Sequence, residues 1–142
     1  MAIELKSADE LARMRRAGRV VSQALDELTR AVRPGVTLLE LDAIARDVLK
    51  RTGATSSFLG YQGTYPAVIC ASPNEVVVHG IPGKRRLSAG DIVGIDFGAS
   101  LDGFHADSAR TVAVGRVSPE VQRLVDVTRT ALERAIATVR AG

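Results

Sequence analysis

The apolar residues of this 142-residue chain change their spacing near Gly53, and this change constrains the fold more than any other sequence feature. Before Gly53 they recur every three or four residues, which is the spacing that lines one face of an α-helix. After Gly53 they fall into short runs rich in Val, Ile and Phe, separated by Gly, Pro and Asn, as is typical of strands and turns. The sequence therefore predicts an α+β fold that begins with helices and continues into a sheet.

Two capping boxes mark the predicted starts of the first two helices. Ser7-Ala-Asp-Glu10 and Thr37-Leu-Leu-Glu40 have the pattern in which a hydroxyl and a carboxylate satisfy free backbone amides at a helix start. We expect the first helix to end near Arg33-Pro34-Gly35 and the second to end at Gly53. A coiled-coil zipper is the alternative for the first helix, but Gly18 lies in its apolar seam, where a coiled coil favours a branched side chain.

The second part of the chain predicts strands over residues 67–71, 75–79, 91–98 and 104–114. Gly103 suits the tight turn between the last two. Ser118-Pro119 then predicts an N-cap and the first residue of a further amphipathic helix.

The end of this further helix resembles the end of the first. Residues 131–142 share Ala, Leu, Val, Arg and Gly with residues 24–35 at the same places, which indicates the beginning of a second repeat. The predicted organisation is one incomplete catalytic domain, 1–142. It has a helical lead (1–53), a β-rich part that carries the metal site (54–116) and the first helix of the second repeat (117–142).

Composition argues against several other classes of protein. The 19 Lys and Arg residues exceed the 16 Asp and Glu residues by only three, and aromatic residues are 4% of the chain, so a specific nucleic-acid partner is not expected. The single cysteine, Cys70, cannot form an internal disulfide. The sequence has no apolar run long enough to span a bilayer and no export signal, so we expect a cytoplasmic protein without membrane association.

Two aspartates, Asp96 and Asp107, interrupt the apolar strands 91–98 and 104–114. If the hairpin turns around Leu101 and Asp102, these aspartates lie opposite each other in the sheet. Two carboxylates this close repel unless a proton or a cation lies between them, so a divalent metal ion is one interpretation. The alternative is that each carboxylate accepts hydrogen bonds from the backbone or from Arg110.

A series of motifs in this order resembles bacterial type I methionine aminopeptidase. They are Gly60-Tyr61, Tyr65-Pro66, Asn74-Glu75, Val78-His79-Gly-Ile-Pro82, Gly90-Asp91-Ile-Val, Ile95-Asp96 and Asp102-Gly-Phe-His-Ala-Asp107. The resemblance covers essentially the whole chain and implies the first half of a pita-bread fold plus the opening helix of the second half. It also implies hydrolytic removal of the initiator methionine by two divalent metal ions, which are Co, Mn, Fe or Zn.

The resemblance assigns roles to individual residues. Asp96 is implied to chelate one metal ion, and Asp107 to bridge both. His79 corresponds to the family's substrate-binding histidine, which is not a metal ligand. His105, which lies between the two aspartates in the sequence, is interpreted as a structural residue or as one that supports a metal ligand.

Further residues resemble the family's substrate pocket and a cation site. Phe58, Tyr61, Tyr65 and Cys70 match the wall of the methionine pocket, for which core packing is the alternative. Asn74 matches a residue of a monovalent-cation site. The implied partners are the N-termini of nascent polypeptides and, transiently, the ribosome.

The sequence departs from the family pattern at three places. Gln62 replaces a histidine, Thr64 is inserted before Tyr65, and nothing after Thr111 resembles the family's remaining ligands, one histidine and two glutamates. We therefore expect the chain to be inactive alone and to self-associate through an uncovered apolar face. The alternatives are a proline dipeptidase relative and a non-catalytic pita-bread module that binds a protein partner.

Overall fold

Three α-helices and a four-stranded antiparallel sheet form the part of the chain that the computed structural model describes, residues 3–141. In chain order the elements are α1 (Ala8–Ala31), α2 (Leu38–Thr52), β1 (Thr55–Ser56), a 3-10 turn (Tyr61–Gly63), β2 (Ile69–Pro73), β3 (Ile92–Leu101), β4 (Phe104–Ala113) and α3 (Pro119–Thr138). None of the helices within this range has the length and apolar character that crossing a membrane would require.

Both predicted capping boxes are confirmed. The Ser7 amide donates to Glu10 Oε2 at 2.7 Å while Ser7 Oγ accepts from the Glu10 amide, and Thr37 makes the same reciprocal pair with Glu40. Because these bonds satisfy amides that the first helical turn leaves free, the helices begin where the boxes predict. The second helix ends at Gly53, whose φ of 69° is left-handed.

Strand β3 organises the sheet. It pairs with β4 along its whole length, and on its other side it pairs with β2 near its start and with β1 near its end. One face of β3 is buried against the helices and forms the centre of the core. Its residues on that face are Val93, Ile95, Phe97 and Ala99.

The predicted register of the hairpin is wrong by two residues. Asp96 pairs with Ala109, and Asp107 pairs with Gly98. The turn consists of Asp102 and Gly103, both with positive φ (52° and 81°), so it lies one residue later than predicted. Since each pair then moves by two residues and side chains alternate with period two, both aspartates still lie on the same face of the sheet.

The predicted strand over residues 75–79 is also wrong. Asn74 leaves the sheet with a φ of 51°, and the Val76 amide donates to the Pro73 carbonyl in a tight turn. The valines that follow form a loop, in which Val77 is 89% exposed. Their β-branched side chains suit a strand, but a strand also needs a paired neighbour, which this segment lacks. The strand predicted over 67–71 lies two residues later, at Ile69–Pro73.

Helix α3 begins as predicted but packs against little. Ser118 Oγ accepts from the Val121 amide, and Pro119 occupies the first turn. No residue of α3 is buried, and its apolar side chains Leu124, Leu132 and Ile136 are more than half exposed.

The ends of α1 and α3 have similar geometry, while the second repeat stays a prediction. The two helices stop at aligned positions, Ala31 and Thr138, and their C-caps Val32 (φ −65°, ψ 117°) and Val139 (φ −66°, ψ 120°) share one backbone conformation.

Candidate metal centre

The face of the sheet opposite the core carries the two aspartates. Along β3 this face presents Gly94, Asp96 and Gly98, and β4 places Asp107 beside Gly98. Asp96 is partly buried, whereas Asp107 is exposed. Adjacent strands therefore bring the two carboxylates together as diagonal neighbours.

The electrostatics of Asp96 reflect this arrangement. Burial, and then the charge of Asp107, raise the pKa of Asp96 from its ordinary 3.8 to about 6. Asp96 Oδ1 is buried and has no hydrogen-bond partner among the described residues. A buried, partnerless carboxylate oxygen beside a second carboxylate is a place for a proton or a cation.

The two carboxylates fit part of a divalent metal site. Their oxygens are hard donors, and the partnerless Asp96 Oδ1 leaves a lone pair available for an ion. Within residues 3–141 no group of three or more His, Cys, Asp or Glu side chains is arranged to hold a metal. The described residues therefore offer two candidate ligands, fewer than a complete site would need.

His79 lies in a loop that is fixed to β2. The Ala71 amide donates to the Gly80 carbonyl at 2.8 Å, and the Gly80 amide donates to Ser72 Oγ at 3.1 Å. A side chain on Gly80 would overlap the carbonyl of Ala71, so only glycine permits this approach. His79 itself has a φ of 59°, which is unusual for a residue other than glycine, and its charge acts to lower the pKa of Asp96.

Tyr65 and Cys70 lie together beside Asp96. The Tyr65 hydroxyl donates to the Ile69 carbonyl at 2.9 Å and lies 3.2 Å from Cys70 Sγ, and Cys70 pairs with Asp96 in the sheet. Burial raises the pKa of both the Tyr65 hydroxyl and the Cys70 thiol, so both stay protonated near neutral pH. They form a largely apolar wall next to the carboxylates.

The other two predicted pocket residues occupy different positions. Phe58 lies over Gly98, close to Asp107. Tyr61 is 65% exposed in the turn Tyr61–Gly63, where Gln62 has a φ of 50°. The structure thus brings Phe58 to the carboxylates and leaves Tyr61 at the surface.

The side chain of Asn74 stabilises the turn after β2. Its Nδ2 donates to Asp91 Oδ1 at 2.8 Å, and its Oδ1 accepts from the Ile92 amide at 3.0 Å. Both ends of the amide thus have partners within the chain. The role of Asn74 at a monovalent cation remains a prediction.

Sequence reasoning missed two residues that support the site. Gly98 faces Asp107 in the register, and Ser57 Oγ lies 2.9 Å from His105 Nδ1. A glycine inside a strand was the available signal for Gly98, because it often marks a close approach of other groups. The Ser57–His105 contact joins residues 48 positions apart and had no local signal.

Comparison with known proteins identifies the family. The model of metallopeptidase family M24 matches residues 12–142. The chain is 45% identical over its full length to a methionine aminopeptidase of Helicobacter pylori strain J99, of which it covers 56%. The crystal structure of methionine aminopeptidase from Thermotoga maritima superposes with a TM-score of 0.95 at 37% identity, over 99% of this chain and 57% of that one.

A solved Xaa-Pro dipeptidase from Bacillus anthracis is also similar, with a TM-score of 0.82 at 26% identity, over 97% of this chain and 37% of that one. The chain thus spans about half the length of the methionine aminopeptidases it matches. The mixed helix and sheet of the described residues correspond to half of a pita-bread fold. The chain belongs to metallopeptidase family M24, and it is similar to the amino-terminal half of bacterial type I methionine aminopeptidases.

Proposed function

We propose that this chain provides half of a dinuclear metal site that removes the N-terminal methionine from new polypeptides. The observation that carries the proposal is the carboxylate pair on the face of the sheet opposite the core, where the buried Asp96 Oδ1 has no partner within residues 3–141 and Asp107 lies beside it. Without a cation such a pair destabilises the fold, because two like charges lie close together in a partly buried position. Destabilisation of this kind is typical of functional sites, where a bound metal ion would neutralise the charges.

Each residue has a distinct part in this proposal. Asp96 would be a ligand of one divalent ion, and Asp107 would be a ligand of both. The chemistry that the ions would supply there is activation of a water molecule and polarisation of the scissile carbonyl, which suits Co, Mn, Fe and Zn. His79, whose loop is fixed to β2 by the contacts of Gly80, would donate a hydrogen bond to the substrate.

The apolar wall next to the metal ligands suits a methionine side chain. Tyr65 and Cys70 are held protonated by burial, and a neutral hydroxyl, a thiol and an aromatic ring accept a thioether well. Phe58 completes the wall above Gly98. We propose that Tyr61 closes the rim of this pocket, and that Asn74 with neighbouring carbonyls holds a monovalent cation.

The remaining metal ligands are proposed to come from residues outside this chain. Two carboxylates alone bind a divalent ion weakly, because affinity falls steeply when ligands and their supporting hydrogen bonds are missing. We therefore expect the 142 residues alone not to hydrolyse peptides. Action on new polypeptides makes the ribosome a transient partner and the cytoplasm the location.

Helix α3 supports the expectation of self-association. Its apolar side chains are exposed along the helix, and such a surface favours contact with another molecule. Sedimentation velocity of the purified chain should show a mass above the monomer, reduced in the double variant Leu132→Gln/Ile136→Gln. A monodisperse monomer at micromolar concentration contradicts this expectation.

A metal-binding experiment tests the proposed carboxylate pair. Binding of Mn²⁺ to the chain is measured from water-proton relaxation, and Asp107→Asn should weaken it at least tenfold. Asp126→Asn is the matched control, because it removes the same charge from a half-exposed ion pair with Arg129 on α3, away from the sheet. Unchanged Mn²⁺ affinity in Asp107→Asn overturns the assignment.

A chimaera tests the activity and separates it from that of a proline peptidase. This chain replaces the matched half of the Helicobacter pylori enzyme, and release of methionine from Met-Ala-Ser is compared with cleavage of Ala-Pro. We expect metal-dependent cleavage of Met-Ala-Ser alone, abolished by Asp107→Asn. Cleavage of Ala-Pro alone favours the proline peptidase, and a folded, metal-loaded chimaera that cleaves neither favours a non-catalytic module.

A further inference from the structure

Gly98 lies at the most crowded point of the metal-binding face. A Cβ atom built on Gly98 would lie 2.7 Å from Phe58 Cε1, 3.0 Å from Ser57 Cβ and 3.1 Å from Asp107 Oδ2. Carbon atoms pack at about 3.5–4.0 Å, so this Cβ would overlap its neighbours. The φ of Gly98 is not in the left-handed region, so the backbone conformation does not require glycine. Glycine is required at this position only because a side chain would overlap the neighbouring atoms.

Three separate parts of the chain meet at this glycine. Asp107 is its register partner on β4, and the Ser57 amide donates to the Gly98 carbonyl at 3.0 Å. That hydrogen bond holds the segment carrying Phe58 against β3. Asp96, two residues before Gly98, lies on the same face of the strand. A side chain at position 98 would therefore meet a proposed metal ligand and a proposed pocket wall at once.

We propose that Gly98 is a positioning residue. Because it has no side chain, the Asp107 carboxylate lies beside Asp96 and the Phe58 ring lies directly against that carboxylate. The inference rests on the proposed metal site. Gly98 then sets the distance between the Asp107 carboxylate, which would bind the ions, and the Phe58 ring, which would contact the substrate side chain. A larger residue would hold these two groups apart.

Gly98→Ala tests the proposal, and Gly94→Ala is its matched control. Gly94 lies on the same strand and the same face, but its added Cβ would meet nothing closer than the Ser72 carbonyl oxygen at 3.7 Å, an ordinary contact. In Gly98→Ala the Asp107 carboxylate must shift by a few tenths of an ångström, which exceeds the roughly 0.2 Å tolerance of metal–ligand distances. We expect Mn²⁺ affinity to fall about tenfold in Gly98→Ala and to stay unchanged in Gly94→Ala.

A second variant separates positioning from general loss of stability. Phe58→Leu removes the atom closest to the new Cβ, although the contact with Ser57 Cβ remains. Adding Gly98→Ala to Phe58→Leu should therefore lower the urea midpoint less than adding it to wild type. The contact with Asp107 Oδ2 remains, so the lowered Mn²⁺ affinity should persist in the double variant. An affinity that recovers along with stability shows that Gly98 acts only on packing and overturns the proposal.

The outcomes distinguish this inference from the proposed function. If Asp107→Asn lowers Mn²⁺ affinity and Gly98→Ala does not, the metal site stands and the role of Gly98 is refuted. If neither variant changes the affinity, the carboxylate pair is not the metal site and both proposals fail.

Discussion

Replacing Asp96 with Asn should stabilise the metal-free chain at neutral pH. Asp96 is partly buried beside Asp107, and its pKa of about 6 means that the fold opposes its ionisation. Asn is neutral at every pH, and its amide can donate a hydrogen bond to the Asp107 carboxylate. The substitution therefore removes the repulsion while keeping the shape of the side chain.

The size and pH dependence of this effect follow from the pKa shift. A folded-state pKa raised above the ordinary 3.8 means that wild-type stability is greatest below about pH 4 and falls as the pH rises through 6. A shift of about two units corresponds to about 3 kcal/mol for a fully buried group. Asp96 keeps partial solvent access, so screening reduces the expected gain in the free energy of unfolding to about 1–2 kcal/mol.

Urea unfolding followed by circular dichroism in EDTA measures this difference. Asp96→Asn should exceed wild type by about 1–2 kcal/mol at pH 8. The difference should shrink to less than about 0.5 kcal/mol near pH 4, where Asp96 of the folded chain is protonated and therefore neutral like asparagine. Asp126→Asn, a control at a half-exposed ion pair on α3, should differ from wild type by less than about 0.5 kcal/mol at both values. Lower stability of Asp96→Asn at pH 8, or an equal gain at both pH values, refutes the reasoning.

Two further substitutions test how the site is supported. Asp42→Ala should lower the free energy of unfolding in urea by about 3 kcal/mol, because this buried carboxylate accepts from the Val68 amide at 2.7 Å and pairs with an arginine. Its control, Asp47→Ala, loses only an exposed ion pair and should lower it by less than about 1 kcal/mol. Gly80→Ala should cost about 2–3 kcal/mol through overlap with backbone, whereas Gly83→Ala, with open space around it, should be nearly neutral; equal costs would show that the loop before β3 is not fixed to β2.

The sequence by itself determined the local features of the fold. The capping boxes at Ser7 and Thr37, the helix end at Gly53 and the helix start at Ser118-Pro119 all appear where predicted. Each depends on hydrogen bonds or backbone angles within a few residues, so the chemistry of the segment suffices. The presence of a hairpin near Gly103 was predictable for the same reason.

Features that depend on a paired neighbour were less predictable. The valines after Asn74 have the composition of a strand but form a loop, because the chain turns away from the sheet after Pro73. The register between β3 and β4 depended on which residues form the turn, and a shift of one residue there moved every pair by two. The strand propensity of a segment does not say which strands pair or in which register, because pairing depends on packing against neighbouring strands rather than on the segment alone.

The candidate site combines both kinds of information. Asp96 and Asp107 were recognisable as carboxylates within apolar strands, and alternation kept them on one face despite the wrong register. Only the tertiary structure decided that Asp96 Oδ1 has no partner among the described residues, that Gly80 fixes the loop of His79 to β2, and that Gly98 makes room for Asp107. These features arise where segments that are distant in the sequence pack closely against one another. Such packing is a property of the folded chain rather than of any local sequence pattern.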